Sequence, residues 1–128
     1  MSLRGPLGRV LGRGSAKEGV QHWWLQRVTS VALVPLSIGF VVSLAALPAL
    51  DYATLVGWLR QGGTALGILL FTLVAARHSH LGVRVVIEDY VHTAGLRTLA
   101  LVVSDFAHFL GAAAAIYAVL KVALGVPL

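Results

Sequence analysis

The chain has 128 residues, of which 58% are hydrophobic and 12% charged, with no cysteine. An ordinary soluble domain is about one quarter charged, and a small one needs a polar coat because it buries less of its surface. So few charges exclude a soluble globular enzyme and a disordered chain, and a mean hydropathy of +0.86 points to a small integral membrane protein.

The missing cysteines exclude a disulfide framework, a Cys-ligated iron–sulfur cluster, a Cys zinc site and covalently attached haem. Any bound cofactor must rely on histidine. The net charge of +5 has no soluble basic face to carry it, so nucleic acid is not expected as a partner. Basic residues gathered on the cytoplasmic side of a lipid bilayer account for it instead.

Residues 1–14 carry Arg4, Arg9 and Arg13 among four glycines and Pro6, and read as a flexible basic arm. They lack the apolar core of a secretory signal, while arginine without acid is also a transit-peptide trait. Ser15 and Glu18 have capping-box spacing, which predicts a helix from about residue 16. From Val28 to Leu50 there are 23 residues without a charge, enough to cross a hydrocarbon core of ~30 Å. Pro35 is a predicted kink and Pro48 a predicted stop.

Residues 51–63 predict a short interfacial helix. Asp51 caps it, Tyr52 and Trp58 suit the headgroup layer, and Gly62–Gly63 stops it. A second span follows and, after a tight connection containing Gly95, a third. The expected fold is all-α, an integral membrane protein with three transmembrane helices running up-down-up and a short interfacial helix between the first two. The spans cover about 16–48, 64–92 and 96–126 in a single three-helix domain over 15–128. Arg4, Arg9, Arg13, Lys17, Arg27 and Arg97 fall on one side, against Arg60 and Lys121 on the other. This bias puts the N-terminus in the cytoplasm of a bacterium, across its inner membrane, or in the matrix of a mitochondrion.

Ionisable side chains inside a span are costly and mark function or a buried partner. His78, Gly82 and Val85/Val86 share one helical face, and Gly82 leaves room for a flat ligand one turn from His78. A neutral imidazole there suits haem iron or a hydrogen bond to a neighbouring helix. In a short antiparallel hairpin, residues whose numbers sum to about 187 lie level. That places Arg84 beside Asp105, which is expected to neutralise it, and His80 beside His108. Tyr90 next to Asp89 can donate to a quinone carbonyl or simply belong to an aromatic belt. His22 and Arg27, five apart, can reach anionic groups such as haem propionates, and Arg27 equally suits a phospholipid headgroup. The cluster of His80, Arg84, Asp105 and His108 also fits a small proton-conducting or transport protein without haem.

Two stretches, GVQHWWLQRVTS over Gly19–Ser30 and HSHLGVRVVIEDYVH over His78–His92, make the chain resemble one of the two membrane anchors of succinate dehydrogenase, the quinone-reducing complex II. The anchor of a fumarate reductase is a close alternative. The resemblance implies a four-subunit assembly in the respiratory chain and citric acid cycle. A flavoprotein subunit, an iron–sulfur subunit and a second membrane-anchor subunit are its partners, beside membrane lipid. It implies haem b shared between the anchors, ubiquinone as substrate, and no catalysis by this chain alone. Residue by residue, it implies His78 rather than His80 as the haem iron ligand, Tyr90 and Asp89 at the quinone, and Arg27 near the haem propionates. His22 is carried to the propionates with its register displaced by one.

Overall fold

The computed structural model describes residues 15–125, with side chains from Gly19 onward. The expectations for residues 1–14, the Ser15–Glu18 cap and residues 126–128 lie outside the described part. Four helices follow one another: α1 over Ser15–Ala45, α2 over Tyr52–Leu59, α3 over Gly62–Tyr90 and α4 over Ala94–Ala123. The three long ones are long and apolar enough to cross a membrane.

The charge-free run makes α1, which continues unbroken through Pro35. It closes with Ala46 N–H donating to Val42 O at 3.0 Å and Leu47 N–H to Leu44 O at 3.2 Å, and Pro48 follows that turn. At α2, Asp51 is the cap: its Oδ1 accepts from the Thr54 N–H at 2.9 Å and its Oδ2 from the Thr54 hydroxyl at 3.1 Å.

Trp58 is 7% exposed and packs on Phe40 with ring centroids 6.0 Å apart. Phe40 in turn stacks on Phe71 at 5.5 Å. The indole is covered because α2 folds back onto α3 and α4. One expectation for this region is corrected: Gly62–Gly63 do not stop α2. Arg60 and Gln61 make the reversal, and the glycines open α3. Gly63 and Gly67, with Phe40 and Trp58, border a cavity of about 310 Å³.

Val91–Thr93 joins α3 to α4, and Gly95, expected in that connection, lies in the first turn of α4. At the far end Gly125 takes φ +69°, a left-handed cap after α4. Arg60 Nε donates to Val122 O at 3.4 Å, tying the end of α2 to the end of α4.

The long helices form a layer. α3 packs against both α1 and α4, and those two do not meet. Among the described residues only Trp58, Ala65, Leu81 and Ser104 are buried, with Leu81, in the middle helix, at 1% exposure. Leu, Val, Ile and Phe side chains cover the outside of the layer. In lipid that exposure costs little, and helices are held by close packing and interhelical hydrogen bonds rather than by a hydrophobic core.

Candidate cofactor site at the α1–α3 seam

His78 lies ~24 Å along α3 from Gly62 and ~18 Å from Tyr90, near the middle of the helix. Its ring turns toward α1. The Thr29 hydroxyl is 3.0 Å from Nδ1, and the Gln26 side-chain nitrogen is 3.4 Å from Nε2. Thr29 has one hydroxyl proton, and the carbonyls of Leu25 and Gln26 stand 2.8 and 3.0 Å away to take it. The Thr29 oxygen is then an acceptor, so Nδ1 carries the ring proton and donates it. Nε2 keeps its lone pair and faces the Gln26 amide. One ring nitrogen is thus anchored on Thr29, and the other faces the Gln26 amide alone.

Gly82 faces the same seam: a Cβ there would meet the Gln26 amide nitrogen at 3.7 Å. Gln26 thus occupies the space between Gly82 and His78, the slot that a flat ligand would need. Toward the start of α1 the seam widens into a groove of about 860 Å³ lined by Gly19, His22, Trp23, Gln26, Arg84, Val85 and Glu88. Two buried polar atoms along it, His22 Nε2 and Gln26 Oε1, have no partner among the described residues.

Arg27 leaves this seam. Its guanidinium lies over the Trp23 ring at 4.2 Å, and it borders a separate surface hollow with Trp24, Val28 and Val31. His22 and Arg27 thus border different hollows. Tyr90 is 78% exposed at the last turn of α3, and Asp89 beside it is exposed too.

The opposite seam, α3 to α4, holds the other membrane-depth polar groups. Arg77 donates to His80 Nδ1 at 3.2 Å, and His80 Nε2 donates to Asp105 Oδ1 at 2.6 Å. His108 Nδ1 donates to Ser104 O at 2.8 Å, which leaves its Nε2 to accept from the Ser79 hydroxyl at 3.1 Å. The His80 and His108 rings meet edge to face at 5.4 Å. The expected level of the two histidines holds, but Asp105 does not pair with Arg84. Arg84 turns along its own helix to Glu88 at 3.0 Å. Arg84 and Arg77 are seven residues apart, two turns, and it is Arg77, relayed by His80, that reaches the carboxylate.

Sequence reasoning missed Thr29 and Gln26. The signal was present: His22, Gln26 and Thr29 are polar at i, i+4 and i+7, one face of α1.

Three apolar helices with polar seams in place of a buried core define a multi-pass membrane protein. A family model described as the succinate dehydrogenase/fumarate reductase transmembrane subunit matches residues 1–123. The succinate dehydrogenase hydrophobic membrane anchor subunit of Paracoccus denitrificans is 35% identical over 114 residues, 89% of this chain and 88% of that protein. The subunit of the same description from Rickettsia bellii is 32% identical over 105 residues, 81% and 84% of the two chains. That of Rickettsia conorii is 36% identical over 95 residues, 73% and 75%. The chain belongs to the succinate dehydrogenase/fumarate reductase transmembrane subunit family.

Proposed function

We propose that this chain is the hydrophobic membrane anchor of a succinate:quinone oxidoreductase. In this role it holds the flavoprotein and iron–sulfur subunits at the membrane together with a second membrane anchor. It co-ligates haem b and contributes to the ubiquinone site, and it is not catalytic alone.

The observation that carries the haem assignment is His78, fixed at Nδ1 by Thr29 with its Nε2 lone pair toward the Gly82 slot. A histidine that would hold haem iron needs this arrangement: one nitrogen anchored, the other available to the metal. The fit requires one change. Gln26 must turn out of the slot, giving up a single long contact of 3.4 Å. Its Oε1 holds no partner that would resist the turn. A bound haem b supplies a one-electron redox centre at mid-membrane.

The groove leading from that slot toward the start of α1 is where His22 offers an unpartnered ring nitrogen to an anionic group such as a propionate. Arg27, on the outer side of α1, serves a second propionate or a headgroup reaching that face. Tyr90 and Asp89, at the far end of the same rigid helix, are open to a quinone and to partner subunits. A phenol there can donate to a quinone carbonyl, and its neighbouring carboxylate can hold or pass a proton. The excess of Arg and Lys on this side of the spans supports an N-terminus on the cytoplasmic side of a bacterial inner membrane, where the peripheral subunits dock.

Purification from the native membrane tests this. The proposal expects three co-purifying subunits and a low-spin, bis-imidazole b-type spectrum. A colourless protein that purifies alone contradicts it.

A further inference from the structure

Among the described residues, the side chain that both hydrogen-bonds His78 and has its own orientation locked is Thr29. Its hydroxyl sits between two carbonyls of the preceding turn of α1, at 2.8 and 3.0 Å, and 3.0 Å from His78 Nδ1. The helix backbone thus consumes the Thr29 proton and aims the oxygen across the seam. The other contact to the ring, from Gln26, lies on the nitrogen that iron would need and is released when a ligand enters. The Thr29 contact is on the opposite nitrogen and survives.

We infer that Thr29 is the positioning residue for His78: it fixes the imidazole in the Nδ1–H tautomer, sets the azimuth of the ring plane, and strengthens Nε2 as a donor to iron. This rests on the assignment of His78 as the haem ligand. The physical route is short. An N–H that donates a hydrogen bond leaves more electron density on the ring, so the opposite nitrogen becomes more basic and favours the oxidised metal. Without the acceptor, the ring is free to rotate about its side-chain bonds and Nε2 is a weaker donor.

The test uses the whole membrane complex, carrying Thr29→Val or Thr29→Ser, with a potentiometric titration of the haem and its electron paramagnetic resonance spectrum. Valine keeps the branched shape and loses the acceptor; serine keeps the acceptor. Thr29→Val is expected to retain haem, raise its midpoint potential and displace the low-field resonance. Thr29→Ser is expected to match the wild type in both. Should the valine variant fail to accumulate, Thr29→Ala removes the same oxygen without a β-branch, and the same shifts are expected. A wild-type complex with haem, and a valine or alanine variant with unchanged potential and resonance, overturns the role of Thr29 alone. A wild-type complex without a b-type haem overturns the ligand assignment and this inference with it.

Discussion

His80 Nε2 donates to Asp105 Oδ1 at 2.6 Å, and on its other side the same ring accepts from Arg77. One imidazole thus connects a cation and an anion that do not touch, across the seam between α3 and α4. The arrangement balances two charges at a depth where either alone is expensive. It also divides the labour between near neighbours. His80 is spent on holding α4, while His78, two residues earlier and turned to α1, keeps a free nitrogen.

Asp105→Leu removes the acceptor and leaves Arg77 without its counter-charge. Interhelical hydrogen bonds in membranes average about 0.6 kcal/mol and reach about 1.7, and an unpaired charge adds to that loss. The thermal midpoint of the detergent-solubilised complex is expected to fall, with Asp105→Asn, which keeps an acceptor oxygen, falling less. In both variants complex assembly suffers more than turnover per assembled complex.

The slot beside His78 has a size limit. Gly82→Ala places a Cβ at ordinary contact distance from Gln26, 3.7 Å, and is expected to keep haem. Gly82→Leu fills the slot, and overpacking of this kind costs about 1–3 kcal/mol. The haem-to-flavin ratio of the purified complex is expected to fall in the leucine variant and stay near wild type in the alanine variant.

Much of this was legible in the sequence, for identifiable reasons. The long helices follow from apolar length, unbroken by charge in the first, and their limits differ from the expected ones by no more than three residues. The level of His80 and His108 follows from the short Val91–Thr93 connection, because a tight hairpin fixes register to within a turn. The partner of Asp105 was not legible. Arg77 and Arg84 are two turns apart on α3, and side-chain direction with a relaying His80 decided between them. The packing of Trp58 on Phe40 was not legible, because it depends on the fold-back of α2. Thr29 and Gln26 went unseen although they lie on one polar stripe, since the stripe does not say which helix it meets.

Asp51 gives the α2 cap a pH dependence. The Thr54 N–H and then the Thr54 hydroxyl hold its carboxyl below the ordinary 3.8. A lowered folded value means the cap contributes fully above the unfolded pKa and is lost as pH falls through the folded one. Hydrogen exchange at the first-turn amides of α2 is expected to accelerate below pH ~4, the unfolded carboxylate range. In Asp51→Asn, which caps without titrating, that acid step is expected to vanish.

Trp58 anchors α2 through Phe40. Trp58→Ala is expected to loosen α2 by about 3 kcal/mol, the lower end for a large aromatic cut to alanine. Faster exchange confined to Thr54–Leu59, with α3 and α4 protected as before, is the pattern to look for.

The proposed role of His78 as haem ligand is tested by reduced-minus-oxidised spectra of the complex purified with His78→Ala, beside His80→Ala as a control for damage to α3. The His78 variant is expected to lose the low-spin b-type spectrum while the His80 variant keeps it. A full b-type spectrum in His78→Ala overturns the assignment.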